Sequence, residues 1–278
     1  MQDTAPLDTT RRRRILGGLM ALTAMVGTAC AEVGSAPDVP AAIEFARLPY
    51  PSVVIKDSLR NEDGVVTPIR AIVRNSSGEE ITGAAVQYLY ADYNRDSALL
   101  VDSSRGFVVA HKAIALGTGR LAARIGSNLQ ILANLVVTTA PDTASGSSPD
   151  TLSVSVPDSV RNTTGEFVAS VRHRDTVGFS GVNGWLVRYQ LVYPANATND
   201  TSAVAYLVNS SNRPATVDTT DASGNAGLRV RVRGDRFPAG TAPDSVVVQV
   251  TVRYRGQPVK GSPLRLRAHI VRRVTVTP

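Results

Sequence analysis

The chain has 278 residues, 43% of them hydrophobic, 19% charged and 5% aromatic, with a formal net charge of +7 and a single cysteine. That length fits about two domains, and the few aromatics beside 22 glycines point to small β cores rather than a large enzyme interior. One cysteine excludes an intrachain disulfide and a multi-cysteine zinc site, and a modest, arginine-dominated basic balance says little about partners.

Residues 1–29 have the plan of an export signal. Arg11 to Arg14 are a positive cluster, Ile15 to Val26 a short apolar run, and Gly27 to Ala29 a small-residue cleavage site. The apolar run falls short of the ~20 residues that a spanning helix needs, so a cleaved signal is expected and an uncleaved anchor is the competing reading. Cys30 follows directly. The arrangement resembles a bacterial lipoprotein signal, in which the cysteine becomes the lipid-modified first residue, although Gly27 stands where that pattern has a larger apolar residue. Thr10 to Leu16 also resembles a twin-arginine export sequence. The lipoprotein resemblance implies a membrane partner through a lipid anchor at Cys30, on the periplasmic or cell-surface side. Residues 30–41 are small and contain proline, and they read as a flexible tether.

From residue 42 the pattern turns to short β-branched stretches. Val53 to Asp57, Ile69 to Arg74, Ala85 to Tyr90, Phe107 to Ala110, Arg120 to Ile125 and Leu129 to Val137 are separated by Asn, Ser and Gly turns. That spacing predicts an all-β sandwich over 42–139. Leu121, Ala123 and Ile125 alternate with Arg120, Ala122 and Arg124, which assigns the two sets to opposite strand faces. Residues 140–150, rich in Pro, Ser and Gly, read as a linker. A second domain over 151–278 repeats the plan. Its inward rows are Leu228, Val230 and Val232; Val246, Val248, Val250 and Val252; and Leu264, Leu266, Ala268 and Ile270. The Leu228 row is expected to echo the strand at Leu121. A polar loop, Pro194 to Thr201, is extra in this half.

The two halves also share words. Asp57 to Asn61 (D-S-L-R-N) returns as Asp158 to Asn162 (D-S-V-R-N), and Gly83 to Tyr88 returns as Gly184 to Tyr189. Both pairs keep one offset, which marks a duplicated domain rather than a solenoid unit. With the Thr220 to Ala226 turn (T-D-A-S-G-N-A) before a strand, this pattern resembles bacterial immunoglobulin-like domains of the invasin and intimin kind. The first half offers only G-T-G-R-L (Gly117 to Leu121) where that turn is expected. The resemblance implies two tandem immunoglobulin-like β-sandwiches behind an export signal, cysteine-free, serving as spacer or adhesion modules in a cell envelope. It brings no catalytic residues and no cofactor.

The residues themselves offer little chemistry. His111, His173 and His269 are the three histidines; His173 lies between Arg172 and Arg174, and His269 beside Arg265 and Arg267. Neighbouring cations disfavour the imidazolium that a general base must form, and no G-x-S-x-G elbow is present, so no enzyme is expected. Asp92, Asn94 and Asp96 alternate like a calcium loop, but Ser97 and Ser103 stand where such a loop needs Gly and Glu, so no metal is assigned. Trp185, in phase with Val187 and Tyr189, suits either a sugar-stacking platform or a core anchor, and the anchor is preferred. The N-x-[ST] triplets at Asn75, Asn162, Asn196, Asn199 and Asn209 are read as incidental. Arg229, Arg231 and Arg233, with Arg265 and Arg267, form the most suggestive surface feature. They suit an anionic partner such as envelope polysaccharide or lipid headgroups, or a solvated strand face whose charge deters edge pairing. Without interleaved aromatics they do not suit nucleic acid. Another surface protein is the remaining candidate partner.

Overall fold

In the computed structural model the described residues are 39–93, 97–114, 117–156, 158, 161–236 and 244–274. The export segment, Cys30 and most of the tether lie outside them, as do Asn94 and Asp96 of the acidic loop.

The described chain is β throughout apart from one 3-10 turn, Gly234–Arg236. Its strands in chain order are β1 (Ala42–Phe45), β2 (Ser52–Val54), β3 (Ala71–Arg74), β4 (Gln87–Tyr90), β5 (Leu99–Val101), β6 (Val108–Ala110), β7 (Thr118–Ile125), β8 (Leu129–Thr138), β9 (Thr143–Ser147) and β10 (Leu152–Val156). There follow β11 (Phe167–Arg174), β12 (Phe179–Gly181), β13 (Leu186–Tyr193), β14 (Ala205–Val208), β15 (Val217–Thr219), β16 (Asn225–Val232), β17 (Ser245–Thr251), β18 (Arg253–Tyr254), β19 (Gln257–Pro258) and β20 (Leu264–Val274).

The chain divides into two compact units. The smaller takes the described residues up to Ala42 together with Val73–Gly83. Within it Ala41 N–H donates to the Arg74 carbonyl, and Ile81 N–H to the Val73 carbonyl, both at 2.8 Å. Asn75 makes its turn by accepting the N–H groups of Ser77 and Glu79 on Oδ1. The larger unit, Ile43–Ile72 and Ala84–Pro278, holds both sandwiches.

In the first, β2-β8-β7-β4 form one sheet, with β2 parallel to β8 and the other pairs antiparallel; β5 and β6 form a separate antiparallel pair. In the second, β10-β20-β17-β13 repeat that order and that single parallel pairing, and β15 is added beyond β13. The other sheet runs β11-β16-β14, with β9 on the far edge of β11. A first strand shared between two sheets, three strands ordered second-fifth-fourth, and three ordered last-sixth-third are the immunoglobulin-like arrangement.

Period-two sequence explains the layers. In β16, Ala226, Leu228, Val230 and Val232 are buried while the residues between them are half-exposed. In β17, Val246, Val248 and Val250 are fully buried. Burying a Val or Leu side chain of this kind stabilises by about 1.5–3 kcal/mol, so the two rows fix the register of both sheets.

Three expectations change. Residues 140–150 are not a bare linker, because β9 pairs with β11 from Thr143↔Arg172 to Ser147↔Val168. Its linker-like composition has a packing cause: a Cβ on Gly146 would lie 2.9 Å from the Val168 carbonyl and 3.1 Å from Leu264. The strand at Leu121 corresponds not to Leu228 but to the Val246 row, since β7 and β17 both lie between the last strand and β4 or β13. The counterpart of the T-D-A-S-G turn is then not G-T-G-R-L but Asp102 to Gly106, which precedes β6. Asp102 Oδ1 accepts the Ser104 and Arg105 N–H groups, and Asp221 Oδ1 those of Ser223 and Asn225. Gly106 accepts the Ile69 N–H at 2.9 Å as Gly224 accepts that of Val171 at 2.7 Å.

Candidate functional site

The five arginines singled out in the sequence do not form one stripe. Arg229 and Arg231 lie on β16 and Arg233 directly follows it, whereas Arg265 and Arg267 lie on β20 in the other sheet. Those of the β16 row are engaged within the chain. Arg229 pairs with Glu166 at 2.8 Å. Arg231, its side chain only 13% exposed, grips Asp158 at 2.8 Å and also donates to the Asn162 and Val232 carbonyls. Arg233 donates to the Thr201 carbonyl at 3.1 Å and stands 3.7 Å from Asp235. Arg265 and Arg267 are exposed; Arg267 stands 3.7 Å from Asp244. Burial acts to raise the Asp158 pKa, but Arg231, the Gly234 N–H and Asn162 outweigh it and hold the carboxyl below its ordinary value.

The other singled-out residues mostly organise turns. His173 Nδ1 lies 2.9 Å from the Ala140 carbonyl and 2.8 Å from Asp142 Oδ2. Asp92 of the acidic loop takes the Arg120 guanidinium, with Nε at 3.0 Å. Among the described residues no group of three or more His, Cys, Asp or Glu side chains is placed to hold a metal. The five N-x-[ST] asparagines are turn and edge residues. Asn75, Asn162 and Asn196 are each at most 8% exposed, and Asn209 Oδ1 accepts two backbone N–H groups.

Sequence reasoning missed the junction between the sandwiches. Trp185, 5% exposed, packs its ring against Tyr50 of the first sandwich, with centroids 5.0 Å apart, and edge-on to Tyr254 at 5.8 Å. Its Nε1–H donates to the Arg253 carbonyl at 3.1 Å, and the next N–H, of Leu186, donates to the Tyr50 hydroxyl at 3.1 Å. The neighbouring Gly184 has φ 70°, and a Cβ there would lie 3.0 Å from Val136. Burial pushes the Tyr50 phenol well above its ordinary pKa.

Beside the rings sits Asp57, 8% exposed. It accepts from the Ser58 N–H at 2.8 Å, Arg60 Nη2 at 3.0 Å, Arg255 Nε at 3.0 Å and the Tyr254 hydroxyl at 3.3 Å. Burial alone would raise its pKa; the Arg60, Arg255 and Ser58 hydrogen bonds win and lower it from 3.8 to about 2. A second acid, Glu62, takes Arg188 Nε at 2.6 Å. The tight turn joining β18 to β19 reaches this site because Arg255 and Gly256 both have positive φ, 50° and 77°, the backbone that a two-residue hairpin requires. A Cβ on Gly64 would lie 2.2 Å from the Arg255 carbonyl carbon, and one on Gly256 2.4 Å from the Asp63 oxygen. The two turns therefore touch backbone to backbone. One signal was readable: Trp185 occupies the repeat position that Ala84 holds in the first half, so the duplicated unit gained a large aromatic where it meets another domain.

The first sandwich also carries an open apolar cleft lined by Tyr88, Leu89, Tyr90, Tyr93, Leu100 and Phe107, among others. Tyr93 and Leu100 are more than half exposed.

No family model matches the chain, and no curated protein does. Among solved structures it is similar to the adhesin InvE of Yersinia pseudotuberculosis at 12% identity and a TM-score of 0.32, over 82% of this chain and 58% of that one. It is also similar to domains 5–6 of the S-layer protein SbsC at 12% identity and a TM-score of 0.27, over 84% and 98% of the two chains. With repeats EC22-24 of mouse cadherin-23 it shares 12% identity and a TM-score of 0.25, over 84% and 65%. The chain thus spans less than two thirds of the adhesin structure. At these scores the matches carry no argument, and the immunoglobulin-like architecture rests on the strand order described above.

Proposed function

We propose that this chain is an exported, non-enzymatic component of a bacterial cell envelope, lipid-anchored through Cys30, whose tandem sandwiches act as a spacer or adhesion module. The observation that supports this reading is the junction. Trp185, Tyr50, Tyr254, Asp57 and Arg255, the side chains best suited to a stacking or charged ligand site, are engaged with one another across the two sandwiches. The domain boundary in this reading falls between Thr138, the end of β8, and Thr143, the start of β9. The anchor is tested by expressing the full chain in a bacterium fed a clickable fatty acid. Label and membrane association are expected for the parent and absent from Cys30→Ala; an unlabelled parent would overturn the anchor.

A second reading, a binding module for anionic glycan or lipid headgroups, draws on the exposed Arg265 and Arg267. It is tested with a Cys30→Ala chain retained on isolated envelope material at low and moderate salt. Salt-sensitive retention lost in the Arg265→Glu/Arg267→Glu variant favours it, whereas equal loss in Arg229→Glu/Arg231→Glu/Arg233→Glu alone would move the surface to the opposite sheet. Retention by neither parent nor variant leaves the spacer, with another surface protein as its partner.

A further inference from the structure

We infer that the two sandwiches form one stiff strut of fixed reach, and that the carboxylate of Asp57 is the clasp that holds it. The inference rests on the junction's geometry and draws on the spacer reading only for its use. Asp57 is the point where the two halves share one charge: its partners Ser58 and Arg60 belong to the first sandwich, and Arg255 and Tyr254 to the second. A largely buried carboxylate with cations from both sides resists separation, because opening the joint leaves it with half its donors.

Three further contacts act in parallel with the clasp. Glu62 and Arg188 make a second ion pair from one sandwich to the other. The Tyr50–Trp185–Tyr254 stack packs between the sandwiches; Trp185 Nε1–H and the Tyr50 hydroxyl are hydrogen-bonded to backbone, and the Tyr254 hydroxyl donates to Asp57. Gly64 and Gly256 let the two turns approach closer than any side chain would allow. A joint with an aromatic plug, two ion pairs and interlocked turns has few low-energy ways to bend. Relative motion is the default for domains joined by a small polar interface, so this assembly departs from that default through named residues. The stretch that composition marks as flexible contributes stiffness as well: β9 lies in the second sandwich's sheet, and Lys260 accepts the Ala144 N–H at 2.8 Å.

The test is a distance distribution between spin labels at Ser127→Cys and Ser211→Cys, one exposed site on each sandwich, in a full chain carrying Cys30→Ala. A single narrow distribution is expected. Asp57→Ala should broaden it at least twofold, and so should Arg255→Ala, whose exposed side chain can be removed with little risk to folding. Arg229→Ala, which breaks an exposed pair remote from the junction, should leave the width unchanged. A broad distribution in the parent would overturn the stiff strut. A narrow one that survives both Asp57→Ala and Arg255→Ala would overturn the clasp while leaving the stiffness to the aromatic plug. Neither result bears on lipidation or envelope retention, so failure here is distinguishable from failure of the proposed function.

Discussion

At the scale of single residues, the molecule separates positions that resemble each other in sequence. Asp57 and Asp158 open the same pentapeptide, yet Asp57 holds Arg255 across the junction and Asp158 holds Arg231 within the second sandwich. Both carboxyls are held below their ordinary pKa. A depressed folded-state pKa contributes stability above the unfolded value, near 4, that is lost as pH falls through the folded one. For Asp57 that window runs from about 4 down to about 2. Thermal denaturation should therefore show the gap between the parent and Asp57→Asn closing as pH drops from about 4 to about 2. A gap that stays constant would remove Asp57 from the account. Glycines divide in the same way. A Cβ on Gly224, at φ 76°, would meet the Val171 carbonyl at 2.4 Å, whereas one on Gly78, at φ 84°, meets nothing. Gly78→Ala should cost about 1–2 kcal/mol, the left-handed penalty alone, and Gly224→Ala clearly more by urea denaturation, since the backbone must also move.

At the scale of elements, the second sandwich shows how a loop can cover a strand edge. There the loop after β13 covers β14. Asn199 accepts the Leu207 N–H at 2.6 Å and donates to its carbonyl at 3.0 Å, and Asn196 donates to the Ala205 carbonyl at 2.8 Å. One asparagine thus does the work of a paired residue on a neighbouring strand, which explains a polar loop that length alone could not interpret. Its φ of 55° suits asparagine, which tolerates the left-handed region. Asn199→Ala should cost about 1–3 kcal/mol by leaving the Leu207 N–H unsatisfied, its carbonyl keeping the Ala215 N–H, and the less covered edge should promote self-association. Urea titration and size-exclusion chromatography across a concentration series check both parts; a variant that is equally stable and monomeric would show that the loop is ornamental.

At the scale of the whole molecule, Trp185 is the only tryptophan and sits where the sandwiches meet, so its fluorescence reports the junction while far-UV circular dichroism reports all the strands. With one continuous hydrophobic cluster running from Tyr50 and Val53 through Trp185 to Val250 and Ile270, unfolding of the larger unit should be cooperative, and the two signals should coincide. Trp185→Ala should lower stability by about 3–5 kcal/mol and split the transition in two. Two separate transitions in the parent would mean that the sandwiches are coupled only weakly.

The sequence by itself determined the class of fold, the duplication and the inward rows, because alternation along a strand and repeated turn words are local properties of the chain. Val230 and Val248 could be assigned to the core from their neighbours alone. It also marked Trp185 as an anchor, but of the second sandwich's core, whereas the ring packs against Tyr50 of the first as well. Only the tertiary structure decided which strand answers which: β7 answers β17 and not β16, a matter of sheet order that no single strand records. It turned Thr143–Ser147 from linker into strand, since small residues look alike whether they are loose or pressed against Leu264 and Leu266. It also distributed the arginines to opposite sheets and brought Asp57 to Arg255, nearly two hundred positions later in the chain. Charge pairing over that separation depends on where the folded sandwiches meet, and spacing along the chain carries no trace of it.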